Sequence, residues 1–145
     1  MDTLTIIRNS WGWTGLEPAA IVAINPFGNI IARATDGTFW RICPEELACE
    51  VVARNAVEYE ALWVSEDFQL DWQMARLADV AQANLGVVGQ GRCYCLKVPG
   101  VLGGAYDAAN LGTIDLGKLI AFSGDVARQV KDVPDGQAIK FEWTE

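Results

Sequence analysis

Leu4, Ile7 and Trp11 fall at i, i+3 and i+7, the spacing that lines one face of a helix. A short opening helix is therefore predicted, docking an apolar stripe and ending at Gly12, Trp13 and Gly15. The period then changes. Ile21-Val22-Ala23-Ile24 and Ile30-Ile31-Ala32-Arg33-Ala34 read as strands separated by Asn25-Pro26 and Gly28, and Thr38-Phe39-Trp40-Arg41-Ile42-Cys43 reads as the returning strand of a β-meander. Between the last two, Asp36-Gly37 predicts a two-residue turn of type I′, whose positive φ angles this pair tolerates. Pro44-Glu45-Glu46 predicts a helical turn, and Ala48-Cys49-Glu50-Val51-Val52-Ala53 a further strand.

Asn55 is placed to cap a helix running to about Trp63. Ser65 or Asp67 begins the next, longer one, in which Phe68, Trp72, Leu77, Val80, Ala81 and Leu85 keep close to a 3.6-residue period until Gly86 stops it. Arg92-Cys93-Tyr94-Cys95-Leu96-Lys97-Val98, bounded by Gly91 and Pro99-Gly100, predicts a buried strand. A loop with Gly103-Gly104, Tyr106, Asp107 and Asn110 follows. Leu116, Leu119, Ile120, Ser123 and Ala127 mark a last helix ending near Lys131. Pro134-Asp135-Gly136 then reads as a turn, and residues 138–143 alternate as a terminal strand.

This order of elements predicts an α+β fold: a mainly antiparallel sheet, formed by the meander and later strands, with about three main helices packed on one face. With 145 residues, no internal repeat and no linker-like tract, residues 1–145 are expected to form a single domain. Composition changes the picture mainly through charge. Eleven basic against nineteen acidic residues leave a net charge of −8, which disfavours nucleic acid and anionic membranes as direct partners and favours a basic one. The N-terminus has neither the basic region nor the apolar run of a secretory signal, and no segment approaches bilayer-spanning length. A cytoplasmic protein with reduced cysteines is expected.

There is no histidine, which removes Ser-His-Asp and Cys-His pairs, histidine metal sites and the commonest general base. Cys93 and Cys95 share one face of a strand, and neither they nor Cys43 and Cys49 show the gap of a structural zinc motif, so they read as small buried hydrophobes. Gly112-Thr113-Ile114-Asp115-Leu116-Gly117-Lys118 matches the front of a phosphate-binding loop but places Leu119 where the metal-coordinating hydroxyl belongs. The acid pairs Glu45-Glu46, Glu58/Glu60 and Glu66-Asp67 lie around helix starts, where a solvated face explains them better than catalysis does. Of six tryptophans, Trp40, Trp63, Trp72 and Trp143 fit core positions, whereas Trp11 and Trp13 sit beside glycines, as core residues or as an interface anchor. No catalytic residue, cofactor or metal is assigned.

Taken together, Trp11-Gly12-Trp13, Asn25-Pro26-Phe27-Gly28-Asn29, residues 39–46, Asp71-Trp72, residues 93–97, Leu102-Gly103-Gly104-Ala105-Tyr106, Asn110-Leu111, Ser123-Gly124 and Pro134-Asp135-Gly136 resemble the bacterial type VI secretion immunity proteins, in the C-terminal module of those paired with antibacterial DNase effectors. The resemblance runs from about Trp11 to the final strand. It implies a binding protein without catalytic residues, made by the toxin's own producer to neutralise it. Larger members carry an additional N-terminal domain, which this chain is expected to lack or to have reduced to its opening helix. The partner implied is a cognate effector encoded by the adjacent gene, most simply a basic nuclease whose active site is occluded.

An acidic, histidine-free domain suits that task, because complementary charge speeds encounter with a basic, nucleic-acid-cleaving enzyme. Trp13, Glu17, Asp36, Tyr106 and Asp107 are the candidate contacts, chosen as acids and aromatics in predicted loops. Two other classes of function compete with this reading. One is a small-molecule-binding or sensory module with the Gly103-Gly104 loop as a pocket rim; the other is a carboxylate-dependent enzyme, which the lack of histidine and of a convincing acid pair disfavours.

Overall fold

The computed structural model describes residues 2–132. The turn expected at Pro134-Asp135-Gly136 and the strand expected over 138–143 lie outside the described residues. The opening stripe forms helix α1 (Thr3–Trp11), whose first turn is held by Asp2 Oδ1 accepting from Thr5 N at 2.8 Å. Ile7 and Trp11 are fully buried, and the Trp11 indole donates to Ile120 O at 3.1 Å. A 3₁₀ turn over Gly12–Thr14 ends the helix.

Strands β1 (Pro18–Ile24), β2 (Ile30–Ala34), β3 (Phe39–Cys43) and β4 (Ala48–Ala53) form an antiparallel sheet in chain order, the predicted meander plus one strand. The hairpin between β2 and β3 differs from the type I′ expectation. Gly37 N donates to Ala34 O, Ala34 N donates to Thr38 O, and only Gly37 has positive φ (+88°), so the loop is three residues long with a type I turn closed by a glycine bulge. Asp36 stays on the ordinary side of φ because its carboxylate caps the turn instead, accepting from Thr38 N at 3.0 Å.

Helices were expected on one face of this sheet; they cover both. Ile30, Ala32, Ala34 and Ile42 point to one side and pack against Ile7, Trp11, Ile120 and Ala127 of α1 and α5 (Leu116–Val130). Ile31, Phe39 and Ala53 point to the other and meet Tyr59, Trp63, Phe68 and Trp72 of α2 (Ala56–Trp63) and α3 (Glu66–Gln73). The cause is visible in the consecutive pair Ile30-Ile31: apolar residues at successive strand positions put greasy surface on both faces, and both must be buried.

The long helix expected from Ser65 to Leu85 is two, α3 and α4 (Ala75–Leu85), broken at Met74, which adopts φ +46°. Asn25, at the end of β1, explains how the break is tolerated. Its Nδ2 donates to the Trp72 carbonyl at 2.9 Å, satisfying a group that the interrupted helix leaves without its usual partner. Strand β5 (Arg92–Leu96) forms as expected, but its partner β6 (Leu111–Asp115) occupies residues read as loop and helix start. This two-stranded sheet presents Tyr94, Leu96 and Leu111 to α4 and Cys93, Cys95 and Ile114 to α5. The architecture is α+β, with five α-helices among the described residues.

Candidate functional site

An open groove of about 490 Å³ crosses the α3 side of the sheet beyond the aromatic cluster. Its lining includes Arg41 and Cys43 of β3, Glu45 and Glu46 of the turn after it, Glu50 and Val52 of β4, Asp71 and Met74 around the end of α3, and Tyr106 from the glycine loop. Four carboxylates thus face one guanidinium, and that guanidinium is already engaged. Arg41 Nη1 donates to Asp71 Oδ2, while Nε and Nη2 donate to Asn29 Oδ1 at 3.1 and 2.9 Å. Asn29 in turn donates through Nδ2 to both Glu45 oxygens, at 2.5 and 2.9 Å.

Glu45 corrects the solvated-face expectation: it is 6% exposed. Burial pushes its carboxyl pKa above the ordinary value, opposed by the hydrogen bonds from Asn29 and Cys43. The Cys43 thiol, 3.3 Å from Glu45 Oε2, is itself pushed up by burial and then by the neighbouring carboxylate. Such a thiol is a poor nucleophile. Glu46 is exposed beside it, and Glu58 forms an ion pair with Arg54, so those two acids do keep to the surface.

Arg41 is fixed from below as well as from its sides. Its guanidinium carbon lies 5.2 Å from the Trp72 ring centroid and 5.9 Å from that of Phe68, within cation–π range. Under it the rings form a ladder, with Phe39 stacked on Tyr59 at 4.5 Å and Trp63 touching Tyr59, Phe68 and Trp72 at 5.8–6.0 Å. The groove floor is therefore rigid, a property that suits recognition of a second surface without an ordering cost.

The five contacts expected from the sequence fall in separate places. Tyr106 is 45% exposed on the groove wall, and Asp107 next to it caps a 3₁₀ turn by accepting from Ala109 N. Glu17 and Asp36 sit together at the hairpin end of the sheet, where Thr35 donates to Glu17 through both its backbone N and its hydroxyl. Trp13 lies at the end of α1, 36% exposed, stacked on Trp11 with ring centroids 6.1 Å apart and Lys131 Nζ 6.0 Å from its own. Asn29, Arg41, Glu45 and Glu50, which the structure brings together at the groove, were not among the contacts chosen from the sequence. The available signal was Arg41 itself, a cation at a strand position whose neighbours alternate inward.

The glycine loop is built for architecture. Asn110 Oδ1 accepts from Val98 N, and its Nδ2 donates to Val98 O and Ala105 O, each at 2.9 Å. A Cβ on Gly104 would lie 1.8 Å from Val98 O, so no larger residue fits. The space enclosed between Pro99, Phe27 and Leu119 is only about 10 Å³, the room of a single water. Cys93 and Cys95 are buried side by side in the core, and burial raises the Cys93 pKa to about 12. Among the described residues no group of His, Cys, Asp or Glu is arranged to hold a metal ion, and no helix is long and apolar enough to cross a membrane.

Comparison with known proteins returns one family. The family model described as T6SS immunity protein Tdi1, C-terminal, matches residues 53–127, from the last residue of β4 into the final turns of α5. This is more than half of the chain. The matched segment is shorter than the resemblance read from Trp11 onward, and of the expected contacts it includes Tyr106 and Asp107. No curated protein and no solved structure matches the chain.

Proposed function

The chain belongs to the T6SS immunity proteins of the Tdi1 C-terminal family, and on that premise we propose that it neutralises a cognate antibacterial effector, a basic nuclease acting on DNA, by binding it in the producing cell's cytoplasm and occluding its active site. The match over residues 53–127 carries this reading. The groove adds a physical reason for the nuclease. Glu46, Glu50 and Asp71 offer carboxylates on a rigid floor, the arrangement of charge that a phosphate-binding cleft would accept in place of DNA. On this reading the inhibitor supplies no catalytic group; its work is complementarity. Tyr106 at the groove, Asp107 next to it in the chain, and Trp13, Glu17 and Asp36 elsewhere are the proposed contact residues.

The test is co-expression with the toxin encoded beside its gene, in cells lacking the pair. The expected outcome is growth rescue and co-purification. A toxic neighbour that is neither rescued nor bound by this protein would remove the immunity reading. Reversing Asp107 to lysine is expected to weaken binding about tenfold with an unchanged fold, and Asp36→Lys measures the hairpin end separately; unchanged binding in both excludes those two loops.

A second reading has one observation in its favour. Tyr106, from the glycine loop, rims a groove whose volume of about 490 Å³ lies in the range of small-molecule sites. It is an open groove carrying four carboxylates against one guanidinium, whereas such sites enclose most of the ligand's surface and carry few polar groups. A small-molecule module would leave the neighbouring toxin unbound, which the same experiment reads.

A further inference from the structure

Helix α2 carries apolar side chains on both its sides. Tyr59 and Trp63 pack into the aromatic cluster under the sheet, while Val57 on the helix and Val64, the residue that caps its C-terminus, are 76% and 79% exposed. Leu70, pointing away on α3, is 71% exposed. A surface helix in a free-standing protein normally keeps its outward face polar. The two helices are joined through Val64 and Ser65, and Gln69 Nε2 donates to Trp63 O at 2.6 Å, so they form one braced hairpin. The ring ladder on the inner side leaves these outward residues no route into the core.

Charge decides what can cover them. Residues 56–73 contain five acids, Glu58, Glu60, Glu66, Asp67 and Asp71, and no lysine or arginine. An apolar centre inside a charged rim is the anatomy of a protein interface. A second copy of this chain would bring acid against acid, and anionic lipid or nucleic acid would be repelled in the same way.

We propose that the outward face of α2 and α3 docks a basic protein surface, that of the effector, with Val57, Val64 and Leu70 forming the dry centre and Glu60, Glu66 and Asp67 the rim. The proposal rests on the immunity reading. It deepens that reading by placing the anchor on the hairpin, inside the matched segment, from which Asp71 continues the acidic surface into the groove.

The experiment uses the full-length chain and the purified toxin encoded beside its gene, inactivated in its catalytic centre, with binding followed by surface plasmon resonance at several salt concentrations. Val64→Lys and Leu70→Lys change exposed residues, and circular dichroism with thermal melting checks that the fold is kept. Each is expected to weaken binding at least about tenfold. Glu60→Lys and Asp67→Lys are expected to slow association and flatten its salt dependence. Val22→Lys, the same chemical change on edge strand β1, is expected to bind as the wild type does. If the wild type fails to bind, the immunity reading fails. If the wild type binds and Val64→Lys and Leu70→Lys bind equally well, the hairpin is excluded while immunity stands. Equal weakening by Val22→Lys would also overturn the assignment, as would light scattering that shows a wild-type dimer dissociated by Val64→Lys.

Discussion

Glu45 is a buried carboxylate in the wall of the groove, and its environment sets its titration apart from that of Asp2, Asp36 and Glu58. Burial raises its pKa above 4.5, so the native protein holds this proton at pH values where the unfolded chain has released it. Its contribution to stability therefore falls as pH rises through that window and is recovered as pH falls. Asp2, Asp36 and Glu58 act in the opposite sense: hydrogen bonds from Thr5, Thr38 and Arg54 hold their pKa values down, so stability is lost as pH drops below their ordinary values of 3.8, 3.8 and 4.5. Melting temperature is expected to rise as pH falls from neutrality toward about 5, then to decline in stronger acid. Relief of the net charge of −8 adds to the rise, so Glu45→Gln is the control that isolates the residue. It should rise less steeply over the same range, and parallel curves for the two proteins would sink the assignment. None of this was legible in Pro44-Glu45-Glu46 as sequence. The turn was visible, but Glu45 is held in its buried position by Asn29, arriving just ahead of β2 and itself fixed by Arg41, and the pairing of a carboxylate with a distant amide leaves no spacing to read.

Elements that rest on local chemistry could be read, and those that rest on tertiary contacts could not. The α1 stripe, the Asn55 cap and the meander follow from period and capping alone. The α3–α4 break carries no glycine or proline; Met74 takes positive φ where Asn25, 49 residues away, donates to its sulfur and to the Trp72 carbonyl. Strand β6 was hidden by Gly112, which reads as a loop; it packs close beneath its neighbours, where a Cβ would lie 3.3 Å from the Lys97 side chain and 3.6 Å from Cys95 Sγ. Gly124 shows how such a contact sets the sign of a mutation. It lies inside α5, where alanine alone would add about 1 kcal/mol of helix propensity. Its Cβ, however, would sit 2.4 Å from the backbone oxygen of Ser10 on α1, and a backbone atom cannot swing aside. Overpacking of this kind costs about 1–3 kcal/mol, and toward the upper end where the obstacle is backbone, so Gly124→Ala is expected to lower stability in urea unfolding by up to about 2 kcal/mol net. Gly117→Ala provides the contrast, since the closest atom there is the tip of the flexible Ile6 side chain at 2.9 Å; it should be close to neutral. A Gly124→Ala protein as stable as the wild type would mean that α1 and α5 pack less tightly than described.

At the scale of the whole molecule, the family match and the folding unit have different edges. The match begins at Ala53, the last residue of the four-stranded sheet, yet the aromatic face of α2 and α3 closes on Ile31 and Phe39 from strands before it. Helix α5 binds the two halves further. Ile120 and Ala127 belong to the core under the first sheet, Leu119 to the core against β5 and β6, and Leu116 packs against both. The β1–β2 turn meets the second sheet directly, with Tyr94 N donating to Pro26 O at 2.9 Å. Among the described residues, parting the two sheets would expose side chains that α5 buries against both. The full chain is therefore expected to unfold in one transition, with tryptophan fluorescence and far-ultraviolet circular dichroism coinciding. A fragment starting at residue 53 would leave Trp72 and Tyr59 without the sheet face they cover, and is expected to lack cooperative unfolding and to bind an apolar dye. If that fragment instead melts cooperatively, or if the full chain shows two separated transitions, the matched segment is a folding unit in its own right, and the N-terminal sheet is an addition to it.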